Sequence, residues 1–179
     1  MDEAELKHPN HWFNRAADLH ASAGAIWDAM SHEPAAVSAR LGFIDGHSME
    51  IACHPVYMML CGLSLEVVMK AVLACRGDLS DDLLHHDLCK LSLAVGRELT
   101  QQERDLLNYY HGALVWSGRY PVPRRSAQAG VYAHRQLGFE TFTSPLAGFS
   151  LELRVRNDTD SWENYSRLWH SYSSMFKHQ

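Results

Sequence analysis

The sequence lacks the motifs and segments that mark several common classes of protein. It contains no G-x-x-x-x-G-K-S/T phosphate loop, no G-x-G-x-x-G turn and no G-x-S-x-G elbow. These absences exclude the usual NTPase, dinucleotide-binding and serine-hydrolase classes. No apolar run follows the acidic N-terminus, so we expect no signal peptide and a cytoplasmic protein that does not engage a membrane.

Metal-binding and disulfide patterns are also missing. The four cysteines form no C-x-x-C pair, and three lie in apolar segments, which predicts reduced core thiols. Neither an H-E-x-x-H motif nor a thiolate knuckle is present. The densest group of titratable residues, His85 and His86 with Asp81, Asp82 and Asp87, lacks the spacing of ligands on one helix face. We therefore expect no metal site and no cofactor.

What is present fits one soluble domain over residues 1–179, with 46% hydrophobic and 21% charged residues. The net charge of −5 is unevenly distributed: residues 1–118 carry −8, residues 119–156 carry +4 and residues 157–179 carry −1. Guanidinium groups favour planar contacts with phosphate or carboxylate. The basic charge of the middle segment comes from arginines alone: Arg119, Arg124, Arg125, Arg135, Arg154 and Arg156.

Apolar residues at steps of three and four predict a mainly helical chain. Helices are expected over His11–Met30 with Asn10 as N-cap, over Met49–Cys75, from His86-Asp87 to Gly96, from Thr100 to Trp116, over Ala127–Leu137 and over residues 160–177. A loop is expected between the first two. Capping boxes at Thr100–Glu103 and Asp160–Glu163 mark two of the helix starts, and Gly118 ends the fourth helix.

A two-residue alternation of apolar and polar side chains over Phe149–Arg156 predicts one half-buried strand. Phe139–Thr143 is expected to pair with it across Ser144–Gly148. The predicted fold is therefore all-α, an up-and-down bundle of four to five helices with a small β-hairpin insertion near residues 139–156.

Two charges interrupt the apolar segment Met49–Cys75. Glu66 and Lys70 are spaced i,i+4 and are expected to pair on one exposed strip of that helix. Each would cost roughly 2.5–3.5 kcal/mol at the centre of a bilayer, which argues against a membrane span.

Three short signals occur in a fixed order along the chain. They are Leu65–Ala71, which contains Glu66 and Lys70, then His86-Asp87-Leu88, and finally Arg119-Tyr120-Pro121. Together they resemble the HEPN family (higher eukaryotes and prokaryotes nucleotide-binding). The resemblance covers about Met49–Pro123; an insertion at 124–158 departs from it, and the last helix fills the expected flank.

The resemblance implies a helical bundle that dimerises and takes nucleotide or RNA. Some relatives are metal-independent ribonucleases that use an arginine followed after four to six residues by a histidine, the imidazole acting as acid or base. That spacing occurs three times here, and Arg104 with His111, two helical turns apart, is the retained catalytic candidate. Arg119 is not followed by a histidine at these distances.

The leading hypothesis is a non-catalytic HEPN-like protein of a toxin–antitoxin or defence system that binds a nucleotide, an RNA segment or a protein such as a nucleotidyltransferase. The expected ligand-binding residues are Glu66, Lys70, His86, Arg119, Tyr120, Arg124 and Arg125. One alternative is a metal-independent endoribonuclease acting through Arg104 and His111. The other is a structural homodimer, or antitoxin-like partner, with no nucleic-acid ligand.

Overall fold

The computed structural model describes residues 8–44, 46–120, 128–146 and 153–178. Within them the fold is all-α with a small two-stranded antiparallel sheet, as predicted. The α-helices are α1 (Pro9–Ser31), α2 (Pro34–Arg40), α3 (Met49–Arg76), α4 (Leu88–Ala94), α5 (Gln101–Gly112), α6 (Gln128–Phe142) and α7 (Trp162–Ser173). The strands are β1 (Thr143–Pro145) and β2 (Arg154–Arg156).

The first helix begins two residues earlier than the sequence pattern suggests. His8, not Asn10, is the N-cap of α1, because Pro9 occupies the first helical position and the His8 ring accepts a hydrogen bond from the Asn10 backbone N–H at 3.2 Å. The loop predicted after α1 is also wrong in part. Glu33, in the left-handed region at φ 50°, turns the chain into the short helix α2.

Helix α3 is the centre of the molecule, and α1, α4, α5 and α7 all pack against it. It is long and apolar enough to cross a membrane, but most of its surface is buried by the other helices, as in the core helix of a globular protein. Ser48 caps its start, and Gly77, at φ 79°, ends it. All four cysteines lie in the described part of the chain, and none of them forms a disulfide there.

Helices α4 and α5 begin where the sequence predicts. Asp87 is the N-cap of α4, and both hydrogen bonds of the Thr100–Glu103 capping box form at the start of α5. After Gly112 the helix widens into a π-helical turn, Ala113–Ser117, and ends at Gly118.

The predicted β-hairpin is confirmed, but its first strand is displaced. Thr143 pairs with Arg156 and Pro145 with Arg154. The first strand therefore begins at Thr143, the residue at which the predicted strand ends. The predicted strand over Phe139–Thr143 is wrong for Phe139–Phe142, which form the last turn of α6. The second capping box is also wrong, because Ser161 rather than Asp160 caps α7.

A buried chain of hydrogen bonds joins α1, α7 and α3. Ser64 donates to the carbonyl of Cys61 at 2.9 Å, so the Tyr165 hydroxyl, 2.6 Å from Ser64 Oγ, donates to Ser64. His20 Nδ1, 3.0 Å from that hydroxyl, therefore carries the proton it donates to Tyr165. The His20 ring also stacks on Trp169 at 4.1 Å, which fixes its orientation.

His20 gives the stability of the fold a pH dependence. Burial, aided by the charge of His170, lowers the pKa of His20 from 6.5 to about 4. Because this pKa is lower in the folded state, the unfolded chain binds more protons between these values, and stability falls as pH falls through that window. We expect His20→Phe, which keeps an aromatic ring, to flatten the dependence of the urea midpoint on pH between pH 7 and about 5. Parallel pH profiles for the two proteins would contradict this assignment.

Candidate functional site

Two of the predicted site residues form a buried ion pair on α3. Lys70 Nζ donates to Glu66 Oε1 at 2.7 Å, and the two side chains are 6% and 5% exposed. The predicted pairing is confirmed. The prediction that the pair lies on an exposed strip of the helix is wrong, because neighbouring elements cover this face of α3. Lys70 is therefore not a surface cation, and Glu66 compensates its charge.

The second Glu66 oxygen holds a histidine from outside the helix. His86 Nδ1 lies 2.8 Å from Glu66 Oε2, and since a carboxylate accepts, the imidazole donates through Nδ1. The His86 side chain is 63% exposed, in contrast to its partner. Glu66 thus connects a buried ammonium to an imidazole at the surface.

A second imidazole reaches the same place from α5. Gly62 on α3 lies against the backbone of Tyr110, where an added Cβ would be 3.0 Å from the carbonyl oxygen, so α5 approaches α3 closely. The next residue, His111, donates through Nδ1 to the backbone carbonyl of His86 at 2.8 Å. We call Glu66, Lys70, His86 and His111 the histidine cluster.

In both imidazoles of the histidine cluster, one ring nitrogen is hydrogen bonded within the described residues and the other, which we call open, is not. Each uses Nδ1 as a donor to an oxygen, and neither Nε2 has a hydrogen-bond partner among the described residues. A neutral ring held this way presents the Nε2 lone pair, and a protonated one presents an N–H. The cluster therefore offers two oriented nitrogens at the protein surface.

The turn that carries His86 is fixed by the start of α4. The Asp87 carboxylate accepts from the Lys90 backbone N–H at 3.1 Å and pairs with Lys90 Nζ at 3.2 Å. Burial acts to raise the pKa of Asp87, but these bonds, together with the charges of Lys90 and His111, hold it below the ordinary value. Lys90 compensates the negative charge that Asp87 brings beside the cluster.

The retained catalytic pair, Arg104 and His111, is separated along α5. Seven residues correspond to about 10 Å of helix rise. His111 belongs to the histidine cluster, while Arg104 lies beside Cys89, whose pKa is raised by burial and by Asp87 and lowered by the Arg104 charge. Among the described residues no direct contact joins Arg104 to His111.

Arg119 and Tyr120 lie on another part of the surface. Gly118, the residue before them, packs against Pro55 and Met59 on α3. Lys70 is eleven residues beyond Met59, about 16 Å along the helix axis. Lys70 and Arg119, both among the expected ligand-binding residues, therefore lie in separate parts of the molecule. Arg119 stacks over Tyr120 at 5.2 Å, and the predicted ligand residues Arg124 and Arg125 lie outside the described residues.

The structure also contains a polar network that the sequence analysis missed. Asp160 accepts from His54 Nε2 at 3.1 Å and from Arg156 at 2.7 Å, and Arg156 also binds Glu50 at 2.6 Å. Burial acts to raise the pKa of Asp160, but His54 and Arg156 hold it below the ordinary value. The i,i+4 spacing of Glu50 and His54 could have indicated a shared face, but nothing local points to Asp160.

This network forms one wall of a cleft of about 410 Å³. Ile51, Pro55 and Phe142 provide its apolar surface, and Thr143 lies at its edge. The described part of the chain brings together no group of three or more metal-ligating side chains.

The chain matches no protein-family model, no curated protein and no solved structure. The functional assignment therefore depends on the histidine cluster and on the sequence signals that led to it.

Proposed function

We propose that the protein is a cytoplasmic, HEPN-like helical protein that binds a phosphate-bearing ligand, a nucleotide or an RNA segment, at the histidine cluster without cleaving it. The observation that carries the proposal is that the two imidazoles are hydrogen bonded in the same way. His86 and His111 each donate through Nδ1 to a fixed oxygen and keep Nε2 open.

The surrounding residues support this arrangement by fixing the rings before a ligand arrives. Glu66 orients His86, and Lys70 cancels the charge of Glu66, so the buried carboxylate does not repel an anion at the surface. Lys70 is therefore a positioning residue. Nε2–H groups of protonated rings donate charge-assisted hydrogen bonds to phosphate oxygens. Preorganised donors lose little conformational freedom on binding.

The test is isothermal titration calorimetry with adenosine 5′-monophosphate. His86→Ala and His111→Ala are each expected to weaken binding by about 10- to 150-fold, the equivalent of about 1.5–3 kcal/mol for a hydrogen bond to a charged group. Arg119→Ala is the matched control, because Arg119 lies outside the cluster, and should bind like the wild type. Undetectable binding by the wild type, or full affinity in both histidine variants, would contradict the proposal.

Two other outcomes would favour the alternatives. The proposal expects labelled RNA to stay intact during incubation with the protein in EDTA. Cleavage that is lost in His111→Ala would favour the endoribonuclease, in which the His111 imidazole serves as acid or base and Arg104 steadies the phosphate charge. A homodimer that retains a protein partner, such as a nucleotidyltransferase, and no nucleotide or RNA would favour the structural alternative.

A further inference from the structure

Helix α6 presents an exposed face that combines aromatic rings with positive charge. Tyr132 and Phe139 are seven residues apart, which places them two turns apart on one face, and they are 71% and 52% exposed. Arg135 lies between them on the same face and is also exposed. The adjacent side of α6 is buried through Val131, His134 and other residues. Large rings on the outer face therefore do not serve the core.

An arginine from the hairpin is fixed against this face. Arg154 Nε donates to the Thr143 hydroxyl at 2.7 Å, and a second guanidinium N–H donates to the Thr143 carbonyl at 2.9 Å. The guanidinium also stacks over Phe139 at 5.2 Å. All three partners are neutral, and no carboxylate in the described part of the chain pairs with Arg154. Arg154 is thus an oriented cation that pairs with no described carboxylate, and three of its N–H donors have no partner in the part of the chain that the structure describes.

Arg119 and Tyr120 form a second arginine–aromatic pair, but this pair follows the π-helical turn and is not on α6. Neither residue lines the cleft that Pro55 and Thr143 border. The residues on and against the outer side of α6, Tyr132, Phe139, Arg135 and Arg154, form what we call the arginine–aromatic face.

The positive charge of residues 119–156 indicates an anionic partner. Residues 119–156 carry six arginines and two acidic residues, in a protein of net charge −5. Exposed aromatic planes offer stacking surfaces to unpaired bases, and arginines offer donors to the backbone phosphates between them. A duplex keeps its bases stacked on one another and so cannot use the rings.

We propose that the arginine–aromatic face binds single-stranded nucleic acid, with bases stacked on Tyr132 and Phe139 and phosphates held by Arg135 and Arg154. This inference goes beyond the proposed function, because it assigns a second ligand-binding surface that is separate from the histidine cluster. An acidic protein segment would use the charges alone and is distinguished by the test below.

The test is fluorescence anisotropy with labelled oligouridine and oligothymidine of about 15 nucleotides and with a duplex of equal length. Tyr132→Ala and Phe139→Ala are each expected to weaken single-strand binding by about five- to 150-fold, the effect of losing one stacked base. Tyr132→Phe, which keeps the ring, should retain affinity. Tyr132 and Phe139 are 71% and 52% exposed, so we expect these variants to fold like the wild type.

Salt dependence separates phosphate contacts from general charge. Arg135→Ala should reduce the slope of log affinity against log salt by about 0.7, the value for one phosphate contact of a single strand. Arg15→Ala removes the same charge from the exposed surface of α1 and should leave the slope unchanged.

Three results would overturn the inference: no binding of either oligonucleotide by the wild type, wild-type affinity in both alanine variants, or equal affinity for the duplex. Calorimetry with adenosine 5′-monophosphate on the same proteins separates the two claims. Loss of single-strand binding with retained nucleotide binding dismisses the arginine–aromatic face alone. Single-strand binding that depends on Tyr132 but not on His86 or His111, with no nucleotide binding, dismisses the histidine cluster alone.

Discussion

Glu66→Leu is expected to lower the free energy of unfolding by about 3–5 kcal/mol, because it leaves the Lys70 ammonium buried without its carboxylate. Lys70 is 6% exposed and donates to Glu66 at 2.7 Å. Removing one member of a buried pair leaves an uncompensated charge, whereas removing both does not. Chemical denaturation of the single and double variants measures the difference.

The double variant is the control that identifies the ion pair as the cause. Lys70→Met should cost an amount similar to Glu66→Leu, and Glu66→Leu combined with Lys70→Met should come within about 1 kcal/mol of the wild type or exceed it. His86→Ala should cost less than either single change, because the His86 side chain is 63% exposed. Single changes that cost little, or a double variant whose loss equals their sum, would contradict the buried pair.

Gly112→Ala is expected to destabilise the protein by about 1–3 kcal/mol, despite the higher helix propensity of alanine. A Cβ at Gly112 would clash with Nδ1 of His134, lying closer than atoms can approach, so the ring must move. The ring has no room to do so cheaply. It stacks on Tyr109 at 4.2 Å and is hydrogen bonded through Nε2 to Ser117 at 3.2 Å.

Gly130→Ala is the matched control, since Gly130 is also helical and an added Cβ meets no atom within 4 Å. It should raise stability by up to about 1 kcal/mol through helix propensity. Thermal melts of the two variants give opposite shifts on this account. A stabilised Gly112→Ala variant would mean that α5 and α6 are not packed through His134 as described.

Local chemistry predicted much of the fold because helix starts and stops are encoded within a few residues. The Thr100–Glu103 capping box and Asp87 each act on backbone groups within three positions, and both are found as predicted. Phe139–Phe142 were assigned to a strand because short apolar runs are ambiguous in period. Tertiary contacts decide the outcome, as Phe142 packs its ring against Tyr109 at 4.6 Å at the end of α6.

The sequence pointed to the residues of the candidate site but not to how they are arranged. Spacing placed Glu66 and Lys70 on one face of α3, but periodicity cannot tell which neighbour covers a face, and the pair is buried. His86 and His111 come from separate elements, and only the fold reveals that the ring of one binds the backbone of the other. The partnership of His54 with Asp160, 106 residues apart, has no local signal at all.

The most direct test of the central claim is a histidine-ring nitrogen NMR spectrum recorded with and without adenosine 5′-monophosphate. The account predicts that His86 and His111, when neutral, both carry their proton on Nδ1, and that the nucleotide shifts the Nε2 resonances of these two rings. If either neutral ring carries its proton on Nε2, or if the nucleotide leaves both Nε2 resonances unmoved, the histidine cluster is not the binding site.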